Sequence, residues 1–352
     1  VVSAAAIPFA DGAVITQPQT GRLFILNRTG ALIWGKSEIS AAEELADTYG
    51  IPLESAARDV ETALETWRSQ GLCDPAPPDL QPPAFWPRPL DSTDAEVVPE
   101  NTREHSYRFL DFTFRVQYRT AALADAIHPR YSNLTTPHNP TADRIFHAAD
   151  LTPDAIAWRL YFAIVRHAHP AFDPMAGLHS AHLDSIALIA NNGSGKSTLA
   201  AALAASTELR AHSDDRLLLD YNTGRPVATP NSIGLKRGSW QPLLSRYPKL
   251  LDGPPVQNEA EELRYILSPP PSDPLLPPIE HIFFPSYSPA AQTEAIPLNP
   301  VEALERIAAS ESWISAEPHK LNAFLSWLEA TRAWALPFSS LDAAIERIEA
   351  CL

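Results

Sequence analysis

Short apolar runs broken by turn residues open the chain. Ala13–Thr16 and Arg22–Leu26 flank Gln17-Pro18-Gln19-Thr20-Gly21, which predicts strand, turn, strand. Asn27–Trp34 reads as a turn and short helix. Ser40 and Glu43 have the spacing of a capping box, predicting a helix through Tyr49 that Gly50 stops. Leu53, Ala56, Ala57, Val60, Ala63, Leu64 and Trp67 recur with helical spacing up to Gly71. A hairpin followed by helices predicts a small winged-helix-like domain over residues 1–74.

Proline then dominates. Of the 35 prolines in the chain, a dense group falls in Pro75–Pro99, where neither a helix nor a central strand can continue. Residues 75–104 are expected to be a semi-rigid linker. Beyond it, Tyr107–Tyr118 alternates as a strand, and Thr152–Arg166 carries Ile156, Leu160 and Ile164 on one helical side. Ile186–Ala190 is a short apolar strand. It runs into Asn191-Asn192-Gly193-Ser194-Gly195-Lys196-Ser197-Thr198 and then an alanine-rich helix, Leu199–Ser206. Residues 105–352 are expected to form a second domain, so the fold class is mixed, α+β and α/β.

Strand, glycine loop and helix in that order are the context of a phosphate loop. The glycines let successive N–H groups turn toward phosphate oxygens, and the helix N-terminus adds its dipole. Lys196 is placed to reach the β- and γ-phosphates, and Ser197 to give its hydroxyl to Mg²⁺. Ala190 stands where the usual pattern has its first glycine. Downstream, His212-Ser213-Asp214-Asp215 puts two carboxylates at a strand end, able to hold Mg²⁺ and accept a proton from an attacking hydroxyl. Asp220 ends another apolar run, but Tyr221-Asn222-Thr223-Gly224 makes it a turn residue.

Composition narrows the partners. The 352 residues suit two domains at ~150 residues each. A formal charge of −15 argues against a nucleic-acid backbone binder. No stretch has the ~20 apolar residues of a membrane span, and no secretion signal is read. Cys73 and Cys351 make neither a metal spacing nor a disulfide framework, so a reducing cytoplasm is the expected location.

Two resemblances add to this reading. TGRLFILNRTGALIW, followed by EELADTYGIPLESAARDVETALETWRSQGL, resembles the PqqD-like family over residues 10–73. That resemblance implies capture of the leader of a precursor peptide, which adds a strand to the hairpin edge. From about His179 onward the chain resembles the HPr serine kinase family and its kinase-A-like relatives. The similarity lies in NGSGKSTLAAAL and AHSDD, then IGLKRGSW, RYILSPP and IEHIFFPSYSP. It implies ATP and Mg²⁺ as cofactors, with residues 190–198 holding the nucleotide. It makes Asp214 the catalytic base, and pairs Asp215 with Ser197 on the metal. His179 would orient Asp214, with Lys196 on the phosphates and Lys236, Arg237 and Arg264 as donors to phosphate or substrate. The glycine-rich stretch that goes with reverse phosphorylase activity is not found at Thr229–Gly238, so neither that activity nor HPr as substrate is expected. Kinases of this type often form homo-oligomers, though no residue here demonstrates it. The expected function is ATP-dependent phosphorylation of a serine, or less so a threonine, on a leader-bound peptide. A small-molecule hydroxyl kinase and a nucleotide-regulated, non-catalytic peptide-binding adaptor stay open. A transporter-type ATPase is disfavoured, because neither an LSGGQ-like signature nor a later apolar run ending in Asp-Glu is found.

Overall fold

The computed structural model describes residues 4–72, 85, 103–137, 141–148, 151–230, 232–257 and 261–352. Cys73 and, apart from Phe85 and residues 103–104, the expected linker lie outside them. The chain divides into two units. One is built on Val1–Ala84 together with Pro300–Glu305 and Ile314–Glu329; the other holds Phe85–Asn299, Arg306–Trp313 and Ala330–Leu352.

In the first unit Gly12–Gln17 and Arg22–Leu26 pair antiparallel, as the turn between them requires. A strand not read from the sequence, Ala5–Phe9, adds to the other edge of Gly12–Gln17. Three helices follow: Arg28–Ile33, Glu38–Tyr49 and Leu53–Ser69. Asn27 caps the first, its side chain accepting from Gly30 N–H at 2.9 Å. The second begins earlier than its sequence signal suggests. Ser37, not Ser40, is the cap, accepting from the backbone N–H of Ser40, while Gly50 stops the helix in the left-handed conformation. On the third helix Ala56, Val60 and Trp67 are buried and Ala63 and Leu64 half-buried, whereas Leu53 and Ala57 face solvent. These residues close over Ile15, Leu26, Ile33 and Leu45 to form the core. The buried Gln17 ties sheet to helix end, donating to the carbonyl of Leu72 at 3.1 Å. Segments from far along the chain complete the unit. Thr16 Oγ1 donates to the carbonyl of Ala316, and Ala10 N–H donates to Glu329 Oε1 at 2.9 Å. The helix Pro318–Ala330 buries Leu321, Phe324, Leu325 and Leu328.

In the second unit, the expected single strand over 107–118 is a hairpin. Arg103–Phe109 and Phe112–Tyr118 pair antiparallel, and Leu110 takes a left-handed φ of 54° at the reversal. Arg144–Ala148 joins in parallel. Helices Ala121–Tyr131 and Pro153–Ala168 cover this sheet, burying Ile127, Tyr131, Ile156, Leu160 and Ile164 against Tyr107, Phe114 and Tyr118. Phe85 packs among Phe162, Phe172 and Trp313, so this member of the expected linker is an anchor of the second unit.

A six-stranded sheet carries the candidate site. Its order is Ala211–Ser213, Ser180–Leu183, Ile186–Ile189, His281–Tyr287, Arg332–Phe338, Ile296–Leu298. Ile186–Ile189, His281–Tyr287 and Arg332–Phe338 run parallel, which brings their carboxyl ends to one side. The helix Lys196–Ser206 returns from that side, burying Leu199 and Leu203 with Leu188, Phe283 and Leu336. Ligand sites in parallel sheets form at such strand ends, where loops diverge toward helices.

Candidate functional site

The loop after Ile186–Ile189 owes its shape to two glycines. Gly193 and Gly195 have φ of 81° and 89°, a region that costs a side chain free energy. Their surroundings differ. A Cβ on Gly193 would meet open space, whereas one on Gly195 would come within 2.9 Å of Phe338 Cζ and 3.3 Å of Tyr287 Cβ. The loop is also pinned from the neighbouring strand, Tyr287 N–H donating to the carbonyl of Ser194 at 3.0 Å. Gly195 caps the helix, and its carbonyl accepts the first helical bond from Leu199 N–H.

A cleft of about 1180 Å³ opens over this loop, and residues 191–198 all line it; Ala190 does not. Lys196 is 5% exposed, and its Nζ has no hydrogen-bond partner among the described residues. Burial pushes its ammonium below the usual lysine range, while the neighbouring Asp214 and Asp215 act against that shift. A buried, unpartnered cation is costly unless an anion meets it. An ammonium, a helix N-terminus and left-handed glycines around one opening favour such an anion.

The two aspartates lie in different settings. Asp214 is 1% exposed. Its Oδ1 accepts from Ser197 Oγ at 2.9 Å and its Oδ2 from Gly234 N–H at 3.0 Å. Burial, and next the charge of Asp215, push its carboxyl up to about 7. Asp215 holds a left-handed φ of 75° and lines the cleft with its side chain 51% exposed. Arg130 Nη2 faces it at 3.6 Å. Thr198 Oγ1 is 2.6 Å from Ser239 Oγ. Among the described residues no group of three or more His, Cys, Asp or Glu could hold a metal ion by itself. Ser197 Oγ and Asp214 Oδ1 are nonetheless paired hard oxygens of the type Mg²⁺ takes, alongside oxygens from a bound phosphate chain.

The remaining expected residues are scattered. His179 is buried, and its Nδ1 lies 3.1 Å from the carbonyl of Ser310. Burial first, then Lys196 and Arg216, hold its imidazole below the usual value. Lys236 lines the cleft but is paired with Glu261 at 2.8 Å. Arg237 is turned outward, 3.8 Å from Glu262, and does not line the cleft. Arg264 does not line it either. It donates to the carbonyls of Leu250, Asp252 and Gly253 and stacks over Trp240, locking a loop. Asp220 is the turn residue expected, its Oδ2 accepting from Thr223 N–H and Oγ1. Sequence reasoning missed Arg130 beside Asp215 and the Gly234 N–H on Asp214. Arg130 arrives on a helix well upstream of the glycine loop, with no motif around it.

Comparison with curated proteins gave no match to the chain. A family model matches residues 12–72, and its description is coenzyme PQQ synthesis protein D (PqqD). The hairpin, its three helices and their core are therefore a PqqD-like domain, the kind that binds precursor peptides in the making of ribosomally produced, modified peptides.

Proposed function

We propose that the second unit binds ATP with magnesium in the cleft and transfers the terminal phosphoryl group to a serine or threonine hydroxyl of a precursor peptide, whose leader the PqqD-like domain holds. The observation that carries this reading is the buried Lys196 ammonium, unpartnered among the described residues, beside a left-handed glycine loop. Tethering the leader raises the local concentration of the peptide's core at the kinase site.

In the transfer, the acceptor oxygen attacks the γ-phosphorus. The bond from that phosphorus to the bridging oxygen breaks, the hydroxyl proton passes to a carboxylate, and ADP leaves. Ser197 Oγ and Asp214 Oδ1 would hold magnesium, whose chemistry is to neutralise charge on the β- and γ-phosphates. Access favours Asp215 as the proton acceptor, reversing the roles that the kinase resemblance implies. Asp215 faces the cleft, whereas both oxygens of Asp214 are engaged by Ser197 and Gly234. His179 is a supporting group, holding the strand Pro174–Leu178 end to Ser310 and Ser312.

Calorimetry with ATP and magnesium, followed by label transfer from γ-labelled ATP to a serine-containing precursor peptide that the PqqD-like domain binds, tests the reading. Wild-type protein is expected to bind ATP and label the peptide, and Lys196→Met to do neither. Asp215→Asn is expected to bind ATP but transfer no label. A folded wild-type chain with no affinity for ATP would falsify the proposal. Full transfer by Asp215→Asn would return the base role to Asp214.

A further inference from the structure

Resting on that reading, we infer that Tyr265 contacts the acceptor peptide, its ring packing beside the serine and its hydroxyl donating to the main-chain carbonyl of that residue. Strand pairing puts the ring there. Ile233–Lys236 and Glu262–Ile266 run antiparallel with Tyr265 opposite Gly234, and both residues line the cleft. Facing residues of such a pair share one side of the sheet. Gly234 has no side chain to occupy that side, and a Cβ added to it would sit 3.6 Å from Tyr265 Cε1. The ring therefore lies over the residue whose N–H holds Asp214 at 3.0 Å.

Tyr265 is half-buried, and its hydroxyl makes no hydrogen bond to the described residues. Burial pushes its phenol above the usual range, opposed by Arg130 and assisted by Asp215, Asp154 and Asp214, so the group keeps its proton at neutral pH. Those carboxylates put the donor on the side of the cleft where Asp215 takes the acceptor proton. A main-chain carbonyl entering such a cleft leaves its water behind and needs a donor in exchange. Neighbouring donors are spent: Ser232 Oγ on the Arg130 carbonyl at 2.9 Å, Gly234 N–H on Asp214, and Lys236 on Glu261. Ile127, Pro153, Ala157 and Leu263 line the same cleft with apolar side chains. The Tyr265 phenol is thus a neutral donor left open beside Asp215. Every serine in a peptide carries a carbonyl close to its Oγ, whereas a small alcohol without an amide would gain nothing from this contact.

Label transfer by the full chain to a serine-containing precursor peptide, with ATP calorimetry alongside, tests the assignment. Tyr265→Phe keeps the ring and removes the hydroxyl. It is expected to lower kcat/KM for the peptide by about fivefold, the worth of one neutral hydrogen bond, at unchanged ATP affinity. Replacing the peptide bond after the acceptor serine by an ester weakens that carbonyl as an acceptor. Wild type is expected to lose on this exchange and Tyr265→Phe to lose nothing more, the signature of two groups in one contact. Unchanged kcat/KM, a matching loss of ATP affinity, or an ester effect equal in both proteins overturns the assignment. The last two would leave Tyr265 as a prop for Gly234 and Asp214 alone. If circular dichroism shows Tyr265→Phe unfolded, wild type decides by itself, and indifference to the ester sinks the idea. A wild-type chain that labels neither peptide overturns this assignment together with the underlying reading, whereas the variant and ester outcomes touch Tyr265 alone.

Discussion

Lys196 and Asp214 are both buried in the site, and each costs the folded protein free energy in its charged form. For Asp214 the carboxyl sits at about 7 when folded, against an ordinary 3.8. Between those values the folded chain binds more protons than the unfolded one, so stability falls as pH rises from 3.8 to about 7. At about 1.4 kcal/mol per pH unit, the whole interval amounts to something on the order of 4 kcal/mol. Asp214→Asn is expected to remove this slope, which thermal melts of variant and wild type across that interval measure. Equal slopes would show that Asp214 is not held protonated. Lys196→Met is expected to move two observables in opposite ways. It should stabilise the nucleotide-free protein by roughly 1–3 kcal/mol, because an unpartnered buried ammonium is removed. It should also abolish ATP binding. A variant that loses both stability and affinity would mean that the ammonium is satisfied in the fold.

At the scale of elements, local signals were legible where one residue type decides and illegible where distant contacts decide. The glycine loop, its flanking strand and its helix were readable because left-handed backbone and a buried apolar run leave local marks. The cap of Glu38–Tyr49 lies one turn before its sequence signal, since Ser37 and Ser40 are both suited to capping and the fold uses Ser37. Ser37→Ala is expected to cost about 1 kcal/mol and Ser40→Ala close to nothing, by denaturant unfolding. The hairpin within 107–118 was hidden because Leu110 and Asp111 lack the glycine or asparagine that usually marks a reversal. Arg130 was hidden for a different reason: only the packed fold brings the end of Ala121–Tyr131 to the cleft that the glycine loop lines. The two loop glycines allow a controlled comparison. Gly195→Ala meets both a strained φ and Phe338, so it should cost ~2–4 kcal/mol and ATP affinity. Gly193→Ala meets the strained φ alone and should cost about 1 kcal/mol. Equal losses would show that Phe338 does not crowd the loop.

For the molecule as a whole, no helix among the described residues is long and apolar enough to cross a membrane. The division into units departs from the simple order of front domain, linker and rear domain. The PqqD-like sheet is bonded at Thr16 and Ala10 to Ala316 and Glu329, and the helix Pro318–Ala330 belongs to the same unit. A fragment ending at residue 84 is therefore expected to unfold with weak cooperativity, and a synthetic peptide covering residues 314–330 to raise its midpoint. A sharp transition in the bare fragment, unmoved by the peptide, would show that the front domain stands alone. The same arrangement sets a timetable during synthesis. Residues 4–72 must wait for more than two hundred further residues to be made before their last contacts arrive, so the PqqD-like domain is completed late. A prematurely terminated chain would then carry the recognition sequence without its finishing helix. Recombination that moved the front segment to another enzyme would also have to carry, or replace, a piece encoded more than two hundred codons downstream.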